Sequence, residues 1–424
     1  MRSALLALAA CSSSAKEPPP KAIDPAANLA RDVTDEQLAF DFATMTATAT
    51  ITFAPATAPG ASLEIGDLTF DSVQMDGADL PYAIGGKQMD LGVPAYDKPI
   101  AIEIAYHWLY TGGFSGPNAA GYTVTWPYYC GNLFPCHSEP ADGVTFSLDL
   151  QNVPAGKMAV FPATLATAPS YQLAWSLDAY TEMPLGTTTN GTQISVFFRA
   201  GEDAAAAAGT AHMTAAFDWF EQTYGPYRFG PKYSTVSVGW PRIAAGGMEH
   251  HPMSHIGYAA LNNEEVNIHE AAHGWFGDGI RIACWEDFVL SEGTVEYMTA
   301  HALDVLAPNL GAANWQAFAN ELATISGTDP VWPQSCGTVD IIKSNLNGYG
   351  PYKRGAFFYK GLADRLGADQ IDTVLATFYA KHGGGAAHMA DMLQTIQDVT
   401  GYDPTACAQT WLLATTTPTP GPCP

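Results

Sequence analysis

Two histidines and two glutamates stand at spacings that suit metal chemistry. His269 and His273 lie four positions apart, Glu270 follows the first directly, and Glu292 follows the second after an eighteen-residue spacer. On a helix, positions four apart share one face, so both imidazoles can bind one ion while Glu270 reaches a water beside it. Catalytic zinc takes three protein ligands and leaves its fourth position to water. The pattern predicts one zinc ion held by His269, His273 and Glu292.

Two helices are needed to bring these ligands together. Residues 266–274 have a helical pattern, with the aromatic pair Trp275 and Phe276 directly after it. A second helical run covers residues 292–305 and begins with Glu292, whose carboxylate can point back towards the histidines. A motif this short also arises by chance on exposed helices, and the second helix makes the zinc interpretation the stronger one.

The composition describes a folded chain with more than one domain. Its 424 residues exceed one ordinary core, and 47% of them are hydrophobic. The net charge is −24, with only 18 lysines and arginines, which argues against nucleic acid as a partner because phosphate binding needs clustered basic side chains. The acidic surface favours solubility first and the approach of cationic peptides second.

Strand patterns dominate residues 31–200. Residues 40–53 alternate with period two, residues 98–108 show the same tendency, and Asn190-Gly191 is a strong hairpin signal. From residue 201 onwards helical patterns take over, beginning with one long helix from about 204 to 225. The predicted fold class is α+β: an N-terminal all-β saddle or sandwich over 31–200, a mainly helical domain over 201–415 and a tail over 416–424.

The N-terminus carries an export signal. Residues 1–10 contain one arginine, a short apolar run and small residues, and Cys11 follows. This pattern is typical of a bacterial lipoprotein, in which the chain is cleaved before a cysteine that is then acylated, with residues 11–30 as the tether. We expect an exported cell-envelope lipoprotein held to the membrane by a lipid on Cys11; an ordinary secretory cleavage site is the alternative.

Six further cysteines fit an oxidising compartment. They allow fifteen pairings, none of which the sequence excludes. We favour the two pairs that close the shortest loops, Cys130 with Cys136 and Cys407 with Cys423. The remaining two cysteines, Cys284 and Cys336, then form the third pair. We assign no cysteine to metal.

The zinc motif and its flanks resemble a known family. The runs H-E-A-A-H-G-W-F-G-D at 269–278, W-E-D at 285–287 and E-G at 292–293 are similar to the zinc aminopeptidases of the aminopeptidase N and leukotriene hydrolase family, and F-P-C-H-S-E-P at 134–140 resembles that family's F-P-C-x-D-E-P loop. The resemblance implies a thermolysin-like catalytic domain over 201–415 and peptide substrates. It covers only the first two of the family's usual domains, so we expect a more open site, or one completed by a partner's surface.

A second resemblance concerns substrate binding. Residues 246–250 resemble the family's G-x-M-E-N motif, which implies that the backbone of Gly246, Gly247 and Met248 binds the substrate and that Glu249 pairs with its free amine. Two positions depart from the family pattern. His250 replaces the final Asn, and Trp126 stands where the family has a second amine-binding acid or amide.

A tyrosine completes the catalytic set. Residues 351–355 resemble the family's P-Y-E-K-G, which implies that Tyr352 donates a hydrogen bond to the developing oxyanion; Tyr349 is a fallback. Asp287 and Glu296 are candidates for supporting a zinc-bound histidine. The histidines near Glu249, at positions 250, 251 and 255, are expected to line the cleft rather than to form a second metal site.

The sequence thus predicts an exported zinc metallopeptidase, with Glu270 as general base and removal of N-terminal residues as the expected reaction. Two alternatives stay open. One is an endopeptidase or modified-peptide hydrolase that does not recognise a free amine, which the departures at Trp126 and His250 would allow. The other is an inactive surface binding module, against which the complete catalytic set argues.

Overall fold

The chain folds into a strand-rich N-terminal part and a largely helical C-terminal part, which confirms the predicted α+β class. The computed structural model describes residues 20–240, 246–326 and 329–424. The signal segment 1–10, Cys11 and the start of the tether lie outside the described residues. No helix within these ranges is both long and apolar enough to cross a membrane.

Fourteen strands make up the first part of the described chain. In order they are β1 (Val33–Asp41), β2 (Thr46–Phe53), β3 (Ala61–Glu64), β4 (Thr69–Met75), β5 (Ala78–Asp79), β6 (Tyr82–Gly85), β7 (Gln88–Leu91), β8 (Ile100–His107), β9 (Gly116–Pro117), β10 (Thr123–Val124), β11 (Val144–Gln151), β12 (Met158–Val160), β13 (Thr164–Ala168) and β14 (Ser176–Asp178).

A seven-stranded sheet in the order β13-β11-β1-β2-β8-β4-β5 is the main layer of this part. Strand β1 runs parallel to β11 and antiparallel to β2, and alternate residues of β1, β2 and β8 are buried. This alternation is what the period-two pattern predicts for a sheet with one covered face. The run 40–53 is not one strand, because β1 ends at Asp41 and Met45 adopts a φ of 56° in the turn before β2.

The second part contains seven strands and nine α-helices among its described residues. They are β15 (Thr181–Thr187), β16 (Gln193–Phe198), α1 (Asp203–Gly209), α2 (Met213–Tyr224), β17 (Lys232–Val238), β18 (Gly247–Met248), β19 (Met253–Gly257), α3 (Glu264–Ala272), β20 (Arg281–Ile282), α4 (Phe288–Leu306), α5 (Pro308–Leu322), α6 (Gly355–Leu366), α7 (Ala368–His382), β21 (Ala386–Ala387), α8 (Met389–Thr400) and α9 (Thr405–Ala408).

A five-stranded sheet in the order β15-β16-β17-β19-β18 leads to the site. The hairpin predicted at Asn190-Gly191 joins β15 to β16, and Gly191 has a φ of 94°. Strands β15 and β16 precede residue 200 but pair into the same sheet as β17 and β19. Strand β18 is the edge of this sheet, antiparallel to β19.

Several helices begin or end away from their predicted limits. The long helix expected over 204–225 is two helices, α1 and α2, because Gly209 ends the first where Leu261 approaches: a Cβ on Gly209 would lie 1.9 Å from the Leu261 oxygen. Helix α4 begins four residues before Glu292, and helix α6 is preceded by a π-helical turn, Gly350–Arg354. These local changes arise from tertiary contacts that periodicity does not show.

Helices α4 and α6 cross at two glycines. A Cβ on Gly293 would lie 2.6 Å from the Gly355 Cα, and a Cβ on Gly355 would lie 2.5 Å from the Gly293 Cα. Neither position can therefore carry a side chain at this separation. The crossing fixes the residue before Gly293, which is Glu292, against the turn that carries Tyr352.

Three disulfides have the favoured pairing: Cys130–Cys136, Cys284–Cys336 and Cys407–Cys423. The second joins the loop before α4 to the region after α5, and the third fastens the C-terminal segment beside α6, where Cys423 N donates to Gly361 O at 3.0 Å. All three pairs are consistent with an oxidising compartment.

A buried carboxylate in the main sheet of the N-terminal part yields the first prediction. Glu36 is fully buried between Ile51 and Phe146, and neither carboxylate oxygen has a hydrogen-bond partner among the described residues. Burial, with smaller contributions from Asp142 and Asp35, raises the pKa of Glu36 well above its usual value. Glu36→Leu should therefore raise the free energy of unfolding at pH 7 by about 1–3 kcal/mol, the usual cost of an unsatisfied buried polar group.

The sign of the pH dependence follows from the raised pKa. Ionisation of Glu36 destabilises the fold above the pKa of the unfolded chain, so the advantage of Glu36→Leu should shrink as the pH falls towards about 4. Denaturant unfolding of wild type and Glu36→Leu at pH 7 and pH 4 measures this difference in the free energy of unfolding. The exposed Glu103 of β8 is the matched control, and Glu103→Leu should change stability by less than about 0.5 kcal/mol. Equal stability of wild type and Glu36→Leu at pH 7 would contradict the prediction.

Candidate active site

Three predicted zinc ligands converge at the end of α3 and the start of α4. His269 Nε2 lies 3.2 Å from His273 Nε2 and 3.2 Å from Glu292 Oε2, and His273 Nε2 lies 3.5 Å from the same oxygen. His269 is in the last turn of α3, and His273 is the residue that caps the helix. All three side chains are buried.

These distances test whether the donor set fits a metal. Two ligand atoms at about 2.0–2.1 Å from a tetrahedral zinc ion are about 3.3 Å apart. The three observed separations lie within about 0.2 Å of that value. Two imidazole nitrogens and one carboxylate oxygen are also a known ligand set for catalytic zinc. The residues therefore fit the ion, and the fit rests on the geometry of His269, His273 and Glu292 alone.

The electrostatics of the donor set favour a cation. Burial opposes ionisation of Glu292, but His273 and His269 outweigh it and lower the pKa of Glu292 to about 2. Burial also opposes protonation of His273, yet Glu292, with Glu249 and Glu270, raises the pKa of His273 well above its usual value. Carboxylates that favour a proton on His273 equally favour a divalent cation at the same place.

One of the two histidine ligands is hydrogen-bonded through its second nitrogen: His273 Nδ1 lies 3.0 Å from Phe276 O. His269 Nδ1 lies 3.8 Å from Glu296 Oε1, too far for a hydrogen bond, and has no other partner among the described residues. Glu296 thus lies beside a ligand, as predicted, without a hydrogen bond to it. Asp287 does not: it accepts hydrogen bonds from Trp332 Nε1 and the Met389 amide and pairs with His388. Asp287 stabilises the start of α8, and its prediction as a supporting residue of the metal site is wrong.

Glu270 is held against the edge strand β18. A Cβ on Gly247 would lie 2.3 Å from Glu270 Oε1, so only glycine allows the strand to pass this close. Burial raises the pKa of the Glu270 carboxyl well above its usual value; His273 opposes this effect, and Glu249 and Glu292 add to it. The carboxylate thus lies beside the metal ligands and within reach of a substrate bound along β18.

Tyr352 belongs to the same wall of the site. Its ring stacks near that of His269, with centroids 6.1 Å apart and planes inclined by 18°, and meets Phe288 edge-on at 5.8 Å. Burial, and then Glu292, raises the pKa of Tyr352 well above its usual value, so the phenol stays a neutral donor. Tyr349, the fallback, is 57% exposed and lies at the rim of the cavity.

Glu249 is an acidic residue that lies beside Glu270 in the site. Its carboxylate forms a cluster with Glu270 and His273 in which the ligand-type atoms lie within 4.8 Å of one another. Gly246, Gly247 and Met248, which precede it, line the same cavity. Because β18 is the edge of its sheet, its outer backbone groups are available to an extended peptide. The structure therefore brings the whole predicted substrate-binding segment to the metal site.

The three neighbouring histidines do not line the cleft. All are buried, and His250 packs its ring 4.7 Å from that of His255. Burial lowers the pKa of His250 well below its usual value and lowers the pKa of His255 to about 3, so both imidazoles are neutral. The expectation of a histidine-lined cleft is wrong, because His255 lies on the buried strand β19 and His250 and His251, which precede it, are buried as well. Within the described ranges, no group of potential metal ligands includes them.

His251 has a role that the sequence analysis missed. Its Nε2 donates to Glu270 O at 2.7 Å, since a carbonyl can only accept, and its Nδ1 then accepts from Tyr227 OH at 2.8 Å. Burial lowers the pKa of His251 to about 3, which agrees with this neutral form. The hydrogen bond from His251 holds the backbone of Glu270 in position. The sequence contains one indication of this role, which is that His251 lies two residues after Glu249.

A cavity of about 670 Å³ joins these residues. Trp126 forms part of its apolar side, where it packs against Phe288 at 6.0 Å and Trp285 at 5.8 Å. Another part of the lining is acidic, and the sequence did not reveal most of it. Its residues are Glu265, Glu296, Glu321 and the buried Lys353.

Solved structures identify the class of this fold. The M1 zinc metallopeptidase of Deinococcus radiodurans superposes with a TM-score of 0.78 over 92% of this chain and 96% of its own, at 18% sequence identity. One structure of this enzyme, a point mutant in which a glutamate is replaced by alanine, was solved with a Tyr-Ser-Ala substrate. A two-domain M1 zinc metallopeptidase bound to L-tryptophan superposes with a TM-score of 0.77, also at 18% identity. The described chain thus has the two-domain fold of these zinc metallopeptidases.

Sequence comparison gives the family. Residues 209–411 match the Peptidase family M1 domain. Aminopeptidase N of Streptomyces lividans is 26% identical over 46% of this chain and 24% of its own length, and aminopeptidase M1-B of rice, Oryza sativa subsp. japonica, is 24% identical over 66% and 35%. These matches confirm the predicted resemblance to the aminopeptidase N family, whose M1 domain the chain carries over residues 209–411. Its matches span about a quarter to a third of these curated relatives.

The donor geometry yields a prediction about metal affinity. Glu292→Gln removes the one anionic ligand, so zinc affinity should fall by at least about 100-fold, beyond the effect usual for a supporting residue. Equilibrium dialysis against buffered zinc, followed by metal analysis, measures it. Glu270→Gln is the control and should keep its zinc, because Glu270 is not in the donor set. Full zinc affinity in Glu292→Gln would contradict the assigned ligands.

Proposed function

We propose that the protein is a zinc aminopeptidase that removes N-terminal residues from peptides. The observation that carries the proposal is the position of Glu249, whose carboxylate lies within 4.8 Å of Glu270 and His273. A carboxylate held at this short distance beyond the metal ligands suits a substrate whose charged amine is one residue away from the bond that is cut. Family membership and the names of the curated relatives support the same activity.

The residues of the site divide the chemistry of hydrolysis. One zinc ion, held by His269, His273 and Glu292, supplies Lewis-acid polarisation of the scissile carbonyl and lowers the pKa of water when it is bound. Glu270 accepts the proton of the attacking water and returns it to the leaving amine. Tyr352 donates a hydrogen bond to the oxyanion, which its neutral phenol can do without a change of charge.

Substrate orientation follows from the edge strand. The backbone of Gly246, Gly247 and Met248 pairs with the extended peptide, while Glu249 binds the free α-ammonium. Trp126 and Phe288 offer an apolar wall to the first side chain. An endopeptidase would not need a buried carboxylate at this distance from the metal site, and Glu249 is only 7% exposed.

We assign the protein to the bacterial cell envelope, with a lipid on Cys11 as the anchor. The lipoprotein-type sequence of residues 1–11 supports this location. Three disulfides support an oxidising compartment. Metabolic labelling with a radioactive fatty acid tests the anchor: wild type should incorporate label and Cys11→Ser should not.

The roles of Glu270 and Tyr352 predict a loss of turnover without a loss of metal. Glu270→Gln should lower kcat by at least about 100-fold, because it removes the general base, and Tyr352→Phe by about 100-fold, because it removes one oxyanion donor. Steady-state hydrolysis of a tripeptide measures both, with zinc content as the control. Tyr349→Phe is the matched variant and should change kcat little. Peptidase activity that persists in Glu270→Gln would refute the mechanism.

Recognition of the free amine predicts the effect of blocking it. Free Ala-Leu-Ala should be cleaved at least about 100-fold more efficiently, in kcat/KM, than its N-acetylated form, because acetylation removes the charge that Glu249 binds. In Glu249→Gln the two peptides should become nearly equal, mainly through slower cleavage of the free one. Equal cleavage of both peptides by wild type would show an enzyme that does not recognise the amine.

A further inference from the structure

The acidic side of the cavity is separate from the residues that perform the chemistry. It borders the zinc ligand His269, because the ligand-type atoms of Glu265, His269 and Glu296 lie within 4.8 Å of one another. Glu321 extends this side towards the solvent and is 37% exposed at its side chain. We call Glu265, Glu296 and Glu321 the acidic wall.

One lysine partly neutralises the acidic wall. Lys353 Nζ lies 2.8 Å from Glu296 Oε1 and 3.0 Å from Glu321 Oε2, and it also lies 3.8 Å from the centre of the Phe318 ring. Among the described residues that line the cavity, Lys353 is the one lysine or arginine. Three carboxylates therefore face one ammonium group.

A buried oxygen of the acidic wall has no hydrogen-bond partner among the described residues. Glu296 is only 3% exposed and lines the cavity, and its Oε2 has no hydrogen-bond partner within the part of the chain that the structure describes. Lys353 pairs with the other oxygen of the same carboxylate. Burial without a partner costs free energy, and a donor that enters the cavity would remove that cost. The unpaired Glu296 Oε2 thus indicates that the cavity suits a cationic ligand.

The direction of a bound peptide decides which side chain meets the acidic wall. Glu249 lies with Glu270 and His273, on one side of the metal ligands. The acidic wall borders the other histidine ligand, since Glu296 Oε1 lies 3.8 Å from His269 Nδ1 and Glu265 belongs to the same cluster. A peptide whose amine is at Glu249 passes the metal at its first carbonyl, so its second residue continues towards the acidic wall.

We propose that the acidic wall is a subsite for a lysine or arginine side chain immediately after the scissile bond. This inference rests on the proposed function, because it takes the position of the amine from Glu249. The long cationic side chain would reach Glu296 Oε2 in the interior and pass Glu265 and Glu321 nearer the opening. The preferred substrates are then peptides with a basic second residue and an apolar first residue, which faces Trp126 and Phe288.

Matched tripeptides test the subsite. Wild-type enzyme should cleave Ala-Lys-Ala about 10-fold or more faster, in kcat/KM, than Ala-Gln-Ala, and Ala-Glu-Ala slowest, as a charge-assisted contact requires. The ratio should fall as ionic strength rises. In the double variant Glu265→Gln, Glu321→Gln, which leaves Glu296 to pair with Lys353, the Lys-to-Gln ratio should drop to about 3 or less. Glu103→Gln, an exposed change of the same charge, should keep the wild-type ratio.

Binding separates this proposal from the catalytic one. Calorimetry with the zinc-loaded Glu270→Gln variant measures the affinity for each tripeptide without turnover, and Ala-Lys-Ala should again bind about 10-fold tighter than Ala-Gln-Ala. Cleavage of all peptides without a preference at the second position would overturn the subsite and leave the peptidase intact. A preference for Lys-Ala-Ala over Ala-Lys-Ala would also overturn it. Lys-selective binding in an enzyme that cleaves no peptide would support the subsite and reject the proposed function.

Discussion

Negative charge crowded into one cavity is the constraint around which this site is built. Six glutamates line it among the described residues: Glu249, Glu265, Glu270, Glu292, Glu296 and Glu321. Carboxylates this close, and largely shielded from water, raise one another's pKa values unless cations lie between them. Each cation expected in the site has a place in this arrangement. Zinc would neutralise the carboxylates at the centre of the cavity. Lys353 neutralises part of the acidic wall, and the substrate amine would neutralise Glu249.

Close backbone packing keeps these charges in position. Gly293 and Gly355 allow α4 and α6 to touch, which brings Glu292 beside the turn of Tyr352, and Gly247 allows β18 to pass over Glu270. His251 then holds the Glu270 carbonyl from the other side. Replacing Gly293 or Gly355 would separate the two helices, because each faces the backbone of the other, and a side chain at position 247 would displace the Glu270 carboxylate.

Helical spacing explains how much of the site the sequence could reveal. His269, Glu270 and His273 followed from positions three and four apart, and Glu292 from its spacing after them. The helical rule also applies to a residue that went unnoticed, because Glu265 precedes His269 by four positions. Glu296 follows Glu292 by four and was recognised only as a possible support. Contacts between distant segments could not be found this way. Lys353 meets Glu321 only because α5 folds beside the turn that carries Tyr352.

The errors have a common physical origin. Asp287 was predicted to support a zinc-bound histidine, and the three histidines after Glu249 were predicted to line the cleft. The structure uses them inside the protein instead, where each finds a buried partner or becomes neutral. The break between α1 and α2 is similar, since it depends on where Leu261 passes. Sequence patterns describe the face of an element, and these cases depend on what covers that face.

The two sides of the cavity also explain why the departures from the family pattern matter. By the family resemblance, Trp126 stands where a second acid or amide would bind the amine. In the proposed orientation Glu249 therefore binds the ammonium group without that help, beside an apolar wall. The acidic wall adds negative charge to another part of the cavity. In the proposed substrate orientation, binding energy therefore shifts from the substrate's amino end to its second residue. Selectivity for peptides then depends on contacts at both ends of the bond, with the metal ligands between them.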